Sequence, residues 1–259
     1  MIPVHFSHAN GLPAACYRKM FGSLGGDFDI KYVNTIGHDP RYPVTDSWPH
    51  LVDELVEQVE QRGEPVLGVG HSLGGYLTTL AALKRPDLFR AIILLDSPIL
   101  DPWKGAVLGW VKRLGLADHF TPAGVTRGRR AAWPSSEDAY AHFRDKGPFR
   151  DFDPECLRDY VTLGMRPCSE GVCLAFDPLS EYRIFRTFPH AMHRALPALS
   201  VRGGLICGRE SADPRRMGLA ISNRYFRVTR VPGGHLFPFE HPEAAARAIR
   251  EMAETLAAR

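Results

Sequence analysis

The chain has 259 residues, 44% of them hydrophobic and 24% charged, enough apolar material for one large α/β domain with a buried core. A formal charge of +3 is close to balance and gives no reason to expect a nucleic-acid partner or an anionic membrane surface. No run of about 18 apolar residues occurs, and the start of the chain carries neither a charged leader nor a long apolar segment, so a cytoplasmic protein is expected.

Short apolar runs alternate with helical patterns. Residues 2–7 read as a first strand, followed by a helix over 14–24 and a strand over 27–34. Leu51, Val52, Leu55, Val56 and Val59 keep helical spacing across 48–61, with acids on the other face. A Gly-bounded apolar run at 65–69 predicts a buried strand, a helix follows over 72–83, and 91–95 is the most apolar strand of all. From 97 to 199 strand-like runs vanish, while aromatics, Pro and Arg become frequent. About a hundred residues are too many for a loop, so this stretch must carry its own structure. The alternation resumes with a strand at 199–207, a helix at 214–222, a strand at 225–231 and an amphipathic helix at 240–256. The economical reading is one mostly parallel sheet flanked by helices, with core segments 1–97 and 199–259 and a helical insertion at 98–198.

Cys16, Cys156, Cys168, Cys173 and Cys207 are odd in number and lack CxxC spacing, so unpaired thiols are expected rather than a disulfide framework or a zinc site. His190 and His193 have no acidic or Cys company, and no metal or other cofactor is expected.

Chemistry concentrates where strands end. Gly70-His71-Ser72-Leu73-Gly74 fits Gly-x-Ser-x-Gly, a turn so tight that small residues must flank the serine. Its strand before and helix after are both predicted, which makes Ser72 a candidate nucleophile beside a helix N-terminus that favours negative charge. Gly233-Gly234-His235 follows the last strand, at the sheet edge that also carries Ser72, so His235 is the candidate base. His241 reads as a capping or surface residue, and His71 as a packing neighbour of the serine. Backbone N–H groups of Leu73 and of Asn10, in His8-Ala9-Asn10-Gly11, are the candidate oxyanion donors.

The order His-Ala-Asn-Gly, Gly-His-Ser-Leu-Gly-Gly, Asp96, a helical insertion and Gly-Gly-His resembles the α/β-hydrolase superfamily over nearly the whole chain. The resemblance implies that fold, starting at its third strand, and an insertion after the sixth strand that caps the site. It also bears on the acid that orients the histidine. Members usually carry it about three residues past a Gly after the penultimate strand, where this chain has Ser211, flanked by Glu210 and Asp213. A subgroup of esterases instead places the acid after the strand that follows the nucleophile helix. That position is Asp96 here, so Asp96 is the implied acid, with Asp213 and Glu210 as alternatives.

The expected activity is serine-dependent hydrolysis of a small or medium carboxylic ester through an acyl-enzyme. Thioesterase, lactonase or carbon–carbon bond hydrolysis would use the same groups, and a low-turnover ligand-binding protein is the rival of another class. The insertion's aromatics (Trp103, Trp110, Phe120, Trp133, Tyr140, Phe143, Phe149, Phe152, Tyr160) are expected mainly to form its own core. Arg127-Gly128-Arg129-Arg130 reads as a solvated loop rather than an anion site.

Overall fold

The computed structural model describes residues 1–211 and 219–258. β1 (Ile2–Ser7), α1 (Arg18–Leu24), β2 (Phe28–Tyr32), α2 (Pro49–Glu60), β3 (Val66–His71), α3 (Leu73–Lys84) and β4 (Phe89–Leu95) make the first half. Between β4 and the next core strand lie α4 (Pro102–Arg113), α5 (Ala117–Phe120), α6 (Ala123–Thr126), β5 (Ala132–Trp133), α7 (Ser136–Arg144), α8 (Pro154–Leu163), β6 (Met165–Cys168), β7 (Gly171–Leu174) and α9 (Pro178–Arg186). The core resumes with β8 (Gly203–Gly208), α10 (Leu219–Tyr225), β9 (Arg227–Val231), α11 (Phe237–Glu240) and α12 (Pro242–Ala257).

Six strands form one sheet in the order β2-β1-β3-β4-β8-β9, every neighbouring pair parallel. β3 and β8 are buried at every residue, and β4 at all but Arg90, as strands covered on both faces must be. The two-residue period divides β4 between the layers. Ile93 and Leu95 join the core under α1 and α12, whereas Ile92 and Leu94 join the core under α2, α3 and α10. α3 lies between the sheet and α2 and is buried almost all round, so its sequence shows little amphipathic pattern. α12 covers only one side, with Ala245, Ile249 and Met252 inward. Because the strands are parallel, the loops after β1, β3, β4, β8 and β9 emerge at one edge of the sheet.

The insertion differs from the sequence expectation. It contains a small three-stranded sheet, β5-β7-β6, antiparallel throughout. Strands of two and four residues, one holding Arg166 and Pro167, are too short to leave a period in the sequence. The same hairpin corrects the thiol expectation. The turn between β6 and β7 brings Cys168 and Cys173 to a Cα separation of 5.9 Å, and they form a disulfide; Cys16, Cys156 and Cys207 are free and buried. The strand expected from 199 begins at Gly203, and part of the helix expected over 214–222 lies outside the described residues. Among the described residues no helix is long and apolar enough to cross a membrane.

Candidate active site

Ser72 stands between β3 and α3 with φ +52° and ψ −111°, a conformation few L residues adopt. The local sequence makes that turn possible. A Cβ on Gly74 would lie 1.9 Å from the Ser7 carbonyl oxygen, and one on Gly70 2.3 Å from the Gly74 carbonyl oxygen, so neither position admits a side chain. The Ser72 N–H donates to Leu95 O (3.0 Å) and the Gly74 N–H to His8 O (3.1 Å), which fastens the turn to β4 and to the loop after β1.

The structure brings His235 and Asp96 to this serine. His235 Nε2 lies 3.1 Å from Ser72 Oγ, and His235 Nδ1 lies 2.7 Å from Asp96 Oδ2. The carboxylate is 2% exposed and the imidazole 45%, so the acid is enclosed while the ring faces the open side of the site. Asp96 itself sits at φ +45° after β4 and accepts two further hydrogen bonds, from Gly208 N–H (3.1 Å) and Ser211 Oγ–H (2.9 Å). Ser211, at the position where the resemblance places the usual acid, thus donates to Asp96 instead. Glu210 is exposed, and its hydrogen bond among the described residues is a backbone one, its N–H to Gly233 O (3.0 Å). Asp213 lies outside the described residues.

A buried chain of hydrogen bonds connects the three loops, with directions fixed by the one group that can only accept. The His235 carbonyl accepts from His71 Nε2–H (2.9 Å), so His71 Nδ1 is the acceptor for Tyr17 Oη–H (2.7 Å), and Tyr17 Oη in turn accepts the Ala9 N–H (3.1 Å). Burial lowers the His71 pKa to about 3, so the ring is neutral, as this chain requires. His8 fixes the next loop similarly. Its Nδ1–H donates to Ala9 O (2.8 Å) and its Nε2 accepts the Ile36 N–H (2.8 Å), with burial lowering its pKa to about 4. The N–H groups of Asn10 and Leu73 have no protein acceptor among the described residues. The Asn10 side chain donates to Glu181 O (3.0 Å), and the Glu181 carboxylate, against Gly11, pairs with Arg129 (2.9 Å).

Sequence reasoning missed Ser211 as a donor, Tyr17 and His71 as a link, and Glu240, whose carboxylate accepts the Gly234 N–H (2.5 Å) and holds the histidine loop. None has a sequence signal, since each acts through a contact that only the assembled sheet edge creates. His241 is exposed at the start of α12 and makes no capping bond. Of the basic run, Arg127 is exposed near Asp118, Arg130 donates to Ala132 O, and Arg129 is drawn in to Glu181. No cluster of His, Cys, Asp or Glu among the described residues could hold a metal ion. Chemically, an enclosed carboxylate, an imidazole and a strained serine in hydrogen-bond sequence can move the serine proton to the ring and stabilise the resulting cation.

Comparison with known proteins agrees with this architecture. The sequence profile of the alpha/beta hydrolase family matches residues 6–248, and the chain belongs to that family. It is an enzyme of the hydrolase class. It is 25% identical over 233 residues to the abhydrolase domain-containing protein AFT2-1 of Alternaria alternata, covering 74% of this chain and 84% of that one. It is 34% identical over 202 residues to the type I acyl-CoA thioesterase mpaH of Penicillium roqueforti, covering 68% of this chain but only 44% of that protein. Among solved structures, E-2-(acetamidomethylene)succinate hydrolase superposes with a TM-score of 0.77 at 19% identity, covering 98% of this chain and 91% of that one, a likeness of fold.

Proposed function

We propose that the protein is a serine hydrolase that cleaves a small or medium-sized carboxylic ester through an acyl-enzyme. The reading rests on one observation, the continuous line Ser72 Oγ, His235, Asp96 with steps of 3.1 and 2.7 Å. His235 Nε2 takes the Ser72 proton as Oγ attacks the acyl carbonyl, and the oxyanion forms against the Asn10 and Leu73 N–H groups. The imidazolium, stabilised by Asp96, then protonates the leaving alkoxide. Water, deprotonated by His235, releases the acid and restores the serine. The segment 98–198 acts as the cap over this site, and the substrate is a small molecule. The working compartment in this reading is the cytoplasm, against which the Cys168–Cys173 bond argues, since such bonds are rare there.

A second reading, thioester cleavage by the same steps, is favoured by the similarity to a protein named as an acyl-CoA thioesterase. The test is a panel of p-nitrophenyl esters and acyl-CoA thioesters of graded chain length, with Ser72→Ala as the blank. Turnover of either series that falls by about 10³-fold or more in Ser72→Ala is expected. A folded wild type that turns over neither series and fails to react with a fluorophosphonate overturns the reading.

A further inference from the structure

The segment 98–131 is packed inside out. Small residues of its helices face the protein. A Cβ on Gly105 would lie 2.2 Å from His190 O, Gly109 packs on the His190 ring, and Ala117, Ala123 and Thr126 are buried. The large apolar residues point away. Trp103, Val107, Trp110 and Leu114 are 53–66% exposed, and Phe120 and Val125 continue the surface at 69% and 83%. Positions 103, 107, 110 and 114 fall within about 60° of one another around α4, so they form a single stripe about 18 Å long, opposite the glycine side. A helix stripe of this kind is normally turned inward.

Charge frames the stripe. Residues 98–131 hold six Lys and Arg against two Asp, and with Lys112 and Arg129 paired to Asp46 and Glu181 from outside the segment the face stays net basic by about two charges. Lys104, paired with Asp101 at 3.1 Å, lies over the Trp103 ring at 5.3 Å on one flank of α4, and Arg113 is exposed on the other. Beside Trp110 opens a cleft of about 530 Å³ lined by Lys112, Arg113, His190, His193 and Arg194, with Asp46, paired to Lys112, its one acidic side chain. Two tryptophans and aliphatics between basic flanks are what an interface between hydrocarbon and anionic headgroups recognises. A basic cleft beside them suits the headgroups themselves.

We propose that α4 to α6 form a docking face for an anionic lipid surface, on which the enzyme seats reversibly without spanning the bilayer. The charge of the whole chain gave no sign of this, because residues 132–199 carry more acid than base and offset the patch. The proposal needs no catalysis and stands apart from the assignment of Ser72.

The test is co-flotation of the full chain with phosphatidylcholine vesicles containing or lacking phosphatidylglycerol, together with tryptophan emission. Trp103 and Trp110 are exposed while Trp48 and Trp133 are buried, so an emission shift reports this face. Binding to the anionic vesicles is expected with a blue shift, weakened by salt and unchanged in Ser72→Ala. Trp103→Ser with Trp110→Ser, shown folded by circular dichroism, is expected to lower the partition coefficient at least ~10-fold, and Arg113→Glu with Arg194→Glu to act in the same direction. Failure to bind anionic vesicles, or binding unchanged in the folded tryptophan variant, overturns the proposal. So does a solution dimer that the tryptophan variant abolishes, because the face would then cover a second copy.

Discussion

Asp96 accepts three hydrogen bonds, from His235, Ser211 and Gly208, and its donors are not equivalent. The bond to His235 fixes which ring nitrogen faces Ser72, so Asp96→Asn is expected to cut kcat by about 10³–10⁴-fold with KM little changed. Ser211→Ala removes one donor to a charged group and leaves the carboxylate in place; about tenfold or less is expected. Glu210→Gln is expected to behave close to wild type, since that side chain is exposed and, among the described residues, Glu210 hydrogen-bonds the histidine loop through its backbone N–H. Steady-state kinetics of these variants and of Asp213→Asn decide the acid, and full activity in Asp96→Asn would remove it. The contrast among these residues also shows what a sequence can carry. Ser72 and His235 were legible because a tight turn and a Gly-Gly loop constrain residue types locally. The Asp96 position came only through resemblance. Ser211 read as an acid missing from its place, and its bond to Asp96, 115 positions earlier, has no local trace.

At the scale of elements, legibility followed length and periodicity. Every core strand was expected, β3 and β4 as apolar runs and β1, β2, β8 and β9 from their places in the alternation of strand-like and helical patterns. β5, β6 and β7 were not, since their pairing comes from the hairpin rather than from any repeat. The Cys168–Cys173 bond belongs to the same blind spot, being a consequence of a turn that was not seen. It makes a direct prediction. Protein denatured without reductant is expected to react with a thiol reagent at three cysteines and, after reduction, at five. Closing so short a loop contributes about 2 kcal/mol at most, so reduction is expected to loosen the hairpin and leave the core folded. Five reactive thiols before reduction would show the pair open, and would remove the objection to a reducing compartment.

For the whole molecule, the buried histidines set its response to acid. His5, His8 and His71 are all 3% exposed or less. Burial lowers the His5 and His8 pKa values to about 4, with Arg62 assisting at His5, and that of His71 to about 3. In the unfolded chain each returns to 6.5. Below that pH the unfolded state takes up protons the native state refuses, so stability present above pH 6.5 drains away as pH falls toward 4. Glu54 opposes the trend. Burial raises its carboxyl from 4.5 to about 7, so the native state already holds a proton there that the unfolded chain lacks above 4.5. For these four groups the net uptake on unfolding is between one and two protons near pH 6, which lowers stability by about 2 kcal/mol between pH 6.5 and 5.5. Urea unfolding across this range measures it. His5 provides the internal control, because neither ring nitrogen has a hydrogen-bond partner and the residue lies on β1 away from Ser72. His5→Leu removes one buried imidazole without breaking a bond, so the slope of stability against pH is expected to shallow by nearly one proton. A wild-type stability that stays flat from pH 6.5 to 5.5, or a slope unchanged in His5→Leu, would show that these rings do not stay neutral in the native fold.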